Sequence, residues 1–159
     1  MPARRRRVRE RVLQSLYAFE LSREPIDGII ATMLHDLSDD AVGKGFARDL
    51  ILKVVATTDE LDLLIRGQVE HWEFHRLAVI DKVVLRMAIC EFLYFDDIPP
   101  KVSMNEAIEI ARDFSTEKSD KFVNGVLDSV LAKLTAERRL HKSGRGLLDN
   151  APSTRRPHT

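Results

Sequence analysis

The chain has 159 residues, 44% hydrophobic and 31% charged, and its 25 basic and 25 acidic side chains cancel to a formal net charge of zero. That size and composition give about one globular domain with one sizeable core. No stretch is apolar for the roughly 18 residues a membrane span needs, no apolar run follows the N-terminal arginines as in a secretory signal, and the single Cys90 excludes an internal disulfide and a zinc cluster; a reduced, cytoplasmic setting is expected.

In chain order, Val8, Val12, Leu16 and Phe19 recur every three to four residues, which predicts a first helix that ends near Ser22 and Pro25. Residues 26–37 read as a short second helix. Gly43 and Gly45 are expected to break the chain, with a third helix running from Phe46 to about Ala56. Thr58 is the expected N-cap of a fourth, striped by Leu61, Leu64, Ile65 and Val69. Residues 77–95 are apolar almost all round, interrupted only by Asp81, Lys82, Arg86 and Glu91, so this helix is expected at the centre of the fold. Pro99-Pro100 ends it. Ser103-Met104-Asn105-Glu106 matches a capping box and opens a sixth helix. A seventh begins near Ser119 and carries Phe122, Val126, Val130 and Leu134. The reading is all-α, about seven helices, with one domain over residues 1–140 and a disordered basic tail over 141–159.

The zero net charge conceals segregation. Residues 1–11 hold six arginines against one acid, residues 138–159 hold six basic residues against one, and residues 12–137 carry 13 basic and 23 acidic residues, a net of −10. Basic ends imply a polyanion partner, and an acidic body implies a separate basic one.

Little in the sequence resembles a catalytic or metal site. Cys90 lies inside the most apolar segment, where a thiol stays protonated. His71 and His75 are spaced as a helical metal pair, but Glu73 does not stand where the zinc-protease pattern requires it and no third ligand is placed. Gly43-Lys44-Gly45 lacks phosphate-loop spacing and reads as an interhelical loop. No metal, no cofactor and no enzymatic activity are expected.

The arginine segment is the informative one. On a helix Arg4, Arg7, Arg11 and Gln14 form one stripe, a row of donors suited to phosphate oxygens. Arg5 and Arg9 instead extend the apolar stripe of Val12, Leu13 and Leu16. Burying a lone guanidinium is costly, so the first turns are expected to project beyond the bundle, frayed or ordered by a ligand. Gln14 and Tyr17 follow closely, an amide and a ring of the kind that holds unstacked RNA bases. The second unusual cluster is Lys121-Phe122-Val123-Asn124-Gly125, where a glycine in mid-helix is expected to mark a tight helix-helix approach.

Three stretches, read together, resemble the NusB family of transcription antitermination factors. They are Arg5-Arg6-Arg7-Val8-Arg9-Glu10 leading to Leu13-Gln14-Ser15-Leu16-Tyr17; Asp81-Lys82-Val83-Val84-Leu85-Arg86-Met87-Ala88 with Glu91; and Asn105 to Ala111 followed by Lys121-Phe122-Val123-Asn124-Gly125-Val126-Leu127-Asp128. The resemblance implies two small helical bundles packed together. It also implies a partner, the small ribosomal-subunit protein acting as NusE, with which the chain would bind the single-stranded boxA element of nascent ribosomal RNA transcripts. The pair would deliver it to RNA polymerase alongside other Nus factors. On this mapping Arg4, Arg5, Arg6, Arg7, Arg9, Arg11, Gln14, Tyr17, Lys118, Lys121, Phe122 and Asn124 are the RNA-facing residues, and Asp81 and Glu91 face the basic partner.

Lys118 departs from the family, which often has an acid there; an extra cation is expected to strengthen RNA binding and loosen its selectivity. Two other readings are a homodimer that masks the same surface, and a stand-alone relative of the RNA-binding domain of ribosomal-RNA methyltransferases. The chain has no Gly-rich cofactor loop to support the latter.

Overall fold

The first amphipathic stretch forms one unbroken helix. In the computed structural model, which describes residues 2–150, α1 spans Pro2–Ser22 and buries Val8, Val12, Leu13 and Leu16. Its first turns therefore do not project or fray as expected. α2 (Ile26–Met33) is shorter than the periodicity predicts and passes into a 3-10 turn, His35–Leu37.

α3 (Ala41–Ala56) contains both glycines that were expected to break the chain. Asp40 caps it, its Oδ1 accepting from the Gly43 N–H at 2.9 Å. A Cβ at Gly43 would stand 2.3 Å from Asp40 Oδ2 and 2.8 Å from Val8 Cγ2, so this glycine lets α3 start flush against its cap and α1. Thr58 does not act as the N-cap of α4 (Thr58–Arg66); its hydroxyl donates to the Val54 carbonyl at 2.7 Å and so finishes α3 instead. α5 (His71–Arg76) is a helix the periodicity missed, too short to show a period.

α6 (Val79–Tyr94) is the hub, with every residue from Val83 to Leu93 buried. α7 (Pro100–Phe114) starts three residues before the expected capping box, because Pro100 at the first helical position has its φ already set and gives up no needed N–H. Ser103 therefore sits inside the helix, and its hydroxyl is used elsewhere. α8 (Ser119–Ala136) begins where the sequence predicts. α1, α2 and α3 pack as one bundle and α6, α7 and α8 as a second; α6 also packs on α1, α3 and α4, which is why it is buried all round. Among the described residues there is no strand.

Residues 141–150 do not trail away. Lys142 Nζ donates to the Glu91 and Phe95 carbonyls at 2.9 and 2.8 Å, the Ser143 N–H donates to the Asp96 carbonyl, and a 3-10 helix, Gly144–Asn150, lies beside α7. The rest of the expected tail, 151–159, lies outside the described residues.

Candidate nucleic-acid interface

α1 carries the arginines, and most of them are held by carboxylates. The stripe read as a free row of donors faces the Asp36–Asp40 corner. Arg11 places Nε 3.0 and 2.9 Å from the two Asp36 oxygens and Nη2 2.6 Å from Oδ2, while its Nη1 donates to Gln14 Oε1 at 3.1 Å. Arg7 donates to the Asp36 backbone carbonyl, and Arg4 lies 3.5 Å from Asp40. Hydrogen bonding to Arg11 holds the Asp36 carboxyl below its ordinary pKa, with the charges of Arg11 and Arg7 adding to this. Arg6 turns the other way, onto α7. It pairs with Glu109, donates to Asp113 at 3.1 Å, and holds Nε 3.6 Å from Glu106 Oε1, an approach that is not a hydrogen bond. Among the described residues Arg5 makes no ion pair, and it is exposed.

Arg9 is the clearest correction. It is 3% exposed and makes a two-pronged contact with Glu91, Nε to Oε2 at 2.8 Å and Nη2 to Oε1 at 2.7 Å. Ser103 also donates to Glu91 Oε1, at 2.6 Å, and the Arg9 guanidinium lies over the Phe46 ring at 5.1 Å. Burial works against the charge of Arg9, yet Glu91 beside it and Glu106 farther off outweigh that, and its pKa is raised. The burial penalty that would push the first turns outward is offset inside, so Arg9 faces no RNA and Glu91 no partner in this structure. Asp81, the other expected partner contact, is also buried, accepting from Ser119 Oγ at 3.2 Å while its Oδ1 lacks a hydrogen bond. A second buried guanidinium, Arg86, is gripped by Asp62 at 2.7 and 3.0 Å and by Glu20 at 3.1 Å. Cys90 is fully buried, which pushes its thiol pKa up.

The α8 motif remains at the surface. Lys118, Lys121 and Asn124 are exposed and Phe122 is half-buried. Among the described residues the Lys118 and Lys121 ammonium groups and the Asn124 amide have no hydrogen bond or ion pair. α7 links this motif to α1, since Arg6 reaches Asp113 near the end of α7, and the neighbouring Arg112 reaches Asp120 in the first turn of α8 at 3.3 Å. The arginine end of α1 and the start of α8 thus share one end of the molecule. Farther along α1, Gln14 is half-buried and Tyr17 exposed. Sequence reasoning missed Asp36, whose position opposite α1 no local pattern signals. It also placed Gly125 at a tight helix contact, whereas a Cβ there would meet nothing within 4 Å.

Comparison with known proteins agrees with this architecture. The family model "NusB family" matches residues 6–132. The transcription antitermination protein NusB of Chloroherpeton thalassium is 45% identical over 146 residues, covering 91% of this chain and 69% of that protein. The T. maritima NusB structure is 39% identical, with a TM-score of 0.75, and the match covers 81% of this chain and 91% of that one. A crystal structure of the antitermination factors NusB and NusE in complex with dsRNA matches with a TM-score of 0.75 at 21% identity, covering 84% of this chain and 99% of that one, a likeness of fold. The chain belongs to the NusB family, the non-enzymatic transcription antitermination factors.

Proposed function

We propose that the chain binds single-stranded boxA RNA of nascent ribosomal RNA leaders together with the small ribosomal-subunit protein acting as NusE. The pair hands the RNA to RNA polymerase and other Nus factors in the cytoplasm. The observation that carries this reading is the convergence at one end of the molecule of two basic segments more than a hundred residues apart, Arg4 to Arg7 on α1 and Lys118 to Asn124 at the cap and start of α8. Lysines and a free arginine attract phosphates, while Asn124, Phe122, Gln14 and Tyr17 offer amides and rings for unstacked bases. The fold it shares with the NusB–NusE–dsRNA complex also supports the reading.

The RNA contact set is narrower than the sequence implies. Arg4, Arg5, Arg6, Arg7, Arg11, Gln14, Tyr17, Lys118, Lys121, Phe122 and Asn124 remain in it, and Arg9 leaves it for the core. The basic partner meets the acidic body at a place not defined by Glu91 or Asp81, both of which are buried.

The test is titration of boxA RNA at several salt concentrations, with and without the ribosomal protein. Binding should be tightest in the ternary mixture and should weaken on replacing Arg5 and Lys121 with alanine. Equal affinity for boxA and a scrambled strand in the presence of the partner would sink the boxA assignment.

A further inference from the structure

We infer that Gly125 is kept bare so that an RNA sugar-phosphate strand can run directly against the backbone of α8 between Lys121 and Asp128. This rests on the RNA-binding reading above and deepens it. Gly125 is the seventh of eighteen residues in α8, with helical pairing on both sides, where glycine is the poorest choice after proline. Glycine is retained in such places when something must pass close to the main chain. Nothing among the described residues does so here: Gly125 is exposed and a Cβ would meet none of their atoms within 4 Å. Gly43 and Gly146 show the contrast, since a Cβ on either would collide with its own fold. Gly28 also faces open space, but it stands in the first turn of α2, where helical hydrogen bonding is incomplete. Gly45, the fifth residue of α3, faces open space as well, but has the acidic Asp49 four residues on, where Gly125 has Lys121 four residues before it.

The surroundings select the occupant. Lys121 is four residues before Gly125 and Asn124 is adjacent, both exposed on the same face, and neither side chain is engaged within the described chain. A cation and an amide flanking open backbone complement a phosphate strand. Asp128, three residues on and also exposed, repels phosphate and marks where the strand leaves the helix. A helix of a protein partner would use the same gap, but two free cationic or amide side chains beside it favour the polyanion.

The experiment compares Gly125→Ala, Gly125→Gln and Lys121→Ala in the full chain. The probe is a single-stranded boxA RNA oligonucleotide, with the ribosomal partner added in a parallel series. Both glycine variants should fold and melt about 2–4 °C higher, because a better helix former replaces glycine where there is room. RNA affinity should fall about tenfold or more for Gln and less for Ala, with association of the ribosomal protein unchanged. Undiminished RNA binding by Gly125→Gln overturns the inference. If Lys121→Ala still loses affinity in that case, the RNA-facing assignment of α8 stands without it, and if Lys121→Ala is also silent, that assignment falls too. Loss of the ribosomal protein with RNA binding intact would assign the gap to a protein contact and likewise overturn the inference.

Discussion

Arg9 and Glu91, 82 positions apart, face each other in the core with both guanidinium prongs occupied and with Ser103 donating to the same carboxylate. This contact joins α1, which carries the arginines, to α6, the hub of the fold, and α7 supplies the third member. Removing either charge strands the other in the core, where Arg9 is 3% and Glu91 1% exposed. Glu91→Ala or Arg9→Ala is therefore expected to destabilise the protein by about 3–5 kcal/mol in urea denaturation. The double variant Arg9→Met, Glu91→Leu should recover most of that loss, because apolar packing can replace a buried ion pair. A loss below about 1 kcal/mol in both single variants would show that the pair is not desolvated in solution.

Asp36 occupies the arginine donors that the proposed RNA contact would use. It accepts the fork of Arg11, and its backbone carbonyl accepts from Arg7. RNA reaching these arginines must displace it, so Asp36→Asn is expected to tighten RNA binding about two- to fivefold, the scale of an exposed ion pair. The salt dependence should steepen as well. Weaker binding by the variant would mean that Asp36 pre-orients the arginines and does not compete for them.

The same pair makes a pH prediction. Arg11 lowers the pKa of Asp36 in the folded state, so the contribution of Asp36 to stability is present above its ordinary value of 3.8 and is lost as pH falls through the lowered one. Asp36→Asn should flatten that part of the acid limb of stability against pH. An acid limb identical to that of the parent protein would show that the clamp is open in solution.

Lys142 closes the carboxyl end of α6 by donating to the carbonyls of Glu91, in its last turn, and of the cap residue Phe95. Cations are favoured there by the helix dipole. Lys142→Ala should cost about 1–2 kcal/mol and should speed hydrogen exchange of the Ser143 amide, which is bonded to Asp96. Unaltered exchange at Ser143 would mean that the segment docks without the lysine.

Elements with a long apolar period were legible in the sequence. α6 and α8 begin and end close to where their stripes do, and α1 ends where its stripe does, because burial of one face decides them. Local punctuation misled where a distant residue set the requirement. Gly43 reads as a breaker, but its small size answers to Asp40 and Val8, and Ser103 reads as a cap, but its hydroxyl answers to Glu91. The basic segments were legible as charge, whereas their partners lay elsewhere in the chain. One clue went unused: Arg9 interrupts an apolar stripe and Glu91 interrupts an apolar run, and two opposite charges misplaced in this way satisfy each other best by pairing.

Lys118 tests how far charge alone governs recognition. It is exposed, unengaged within the described chain, and one residue before α8. A cation there adds a phosphate contact that every RNA sequence can satisfy, which raises affinity without adding selectivity. Lys118→Asp should lower affinity for boxA and for a scrambled strand together, and should reduce the slope of log affinity against log salt by about 0.7, one phosphate contact on a single strand. The ratio between boxA and the scrambled strand should stay the same, because a phosphate contact contributes equally to both. If boxA affinity alone falls, Lys118 touches a base and not the phosphate backbone, and selectivity at this end of the molecule is carried by charge as well as by Asn124 and Phe122.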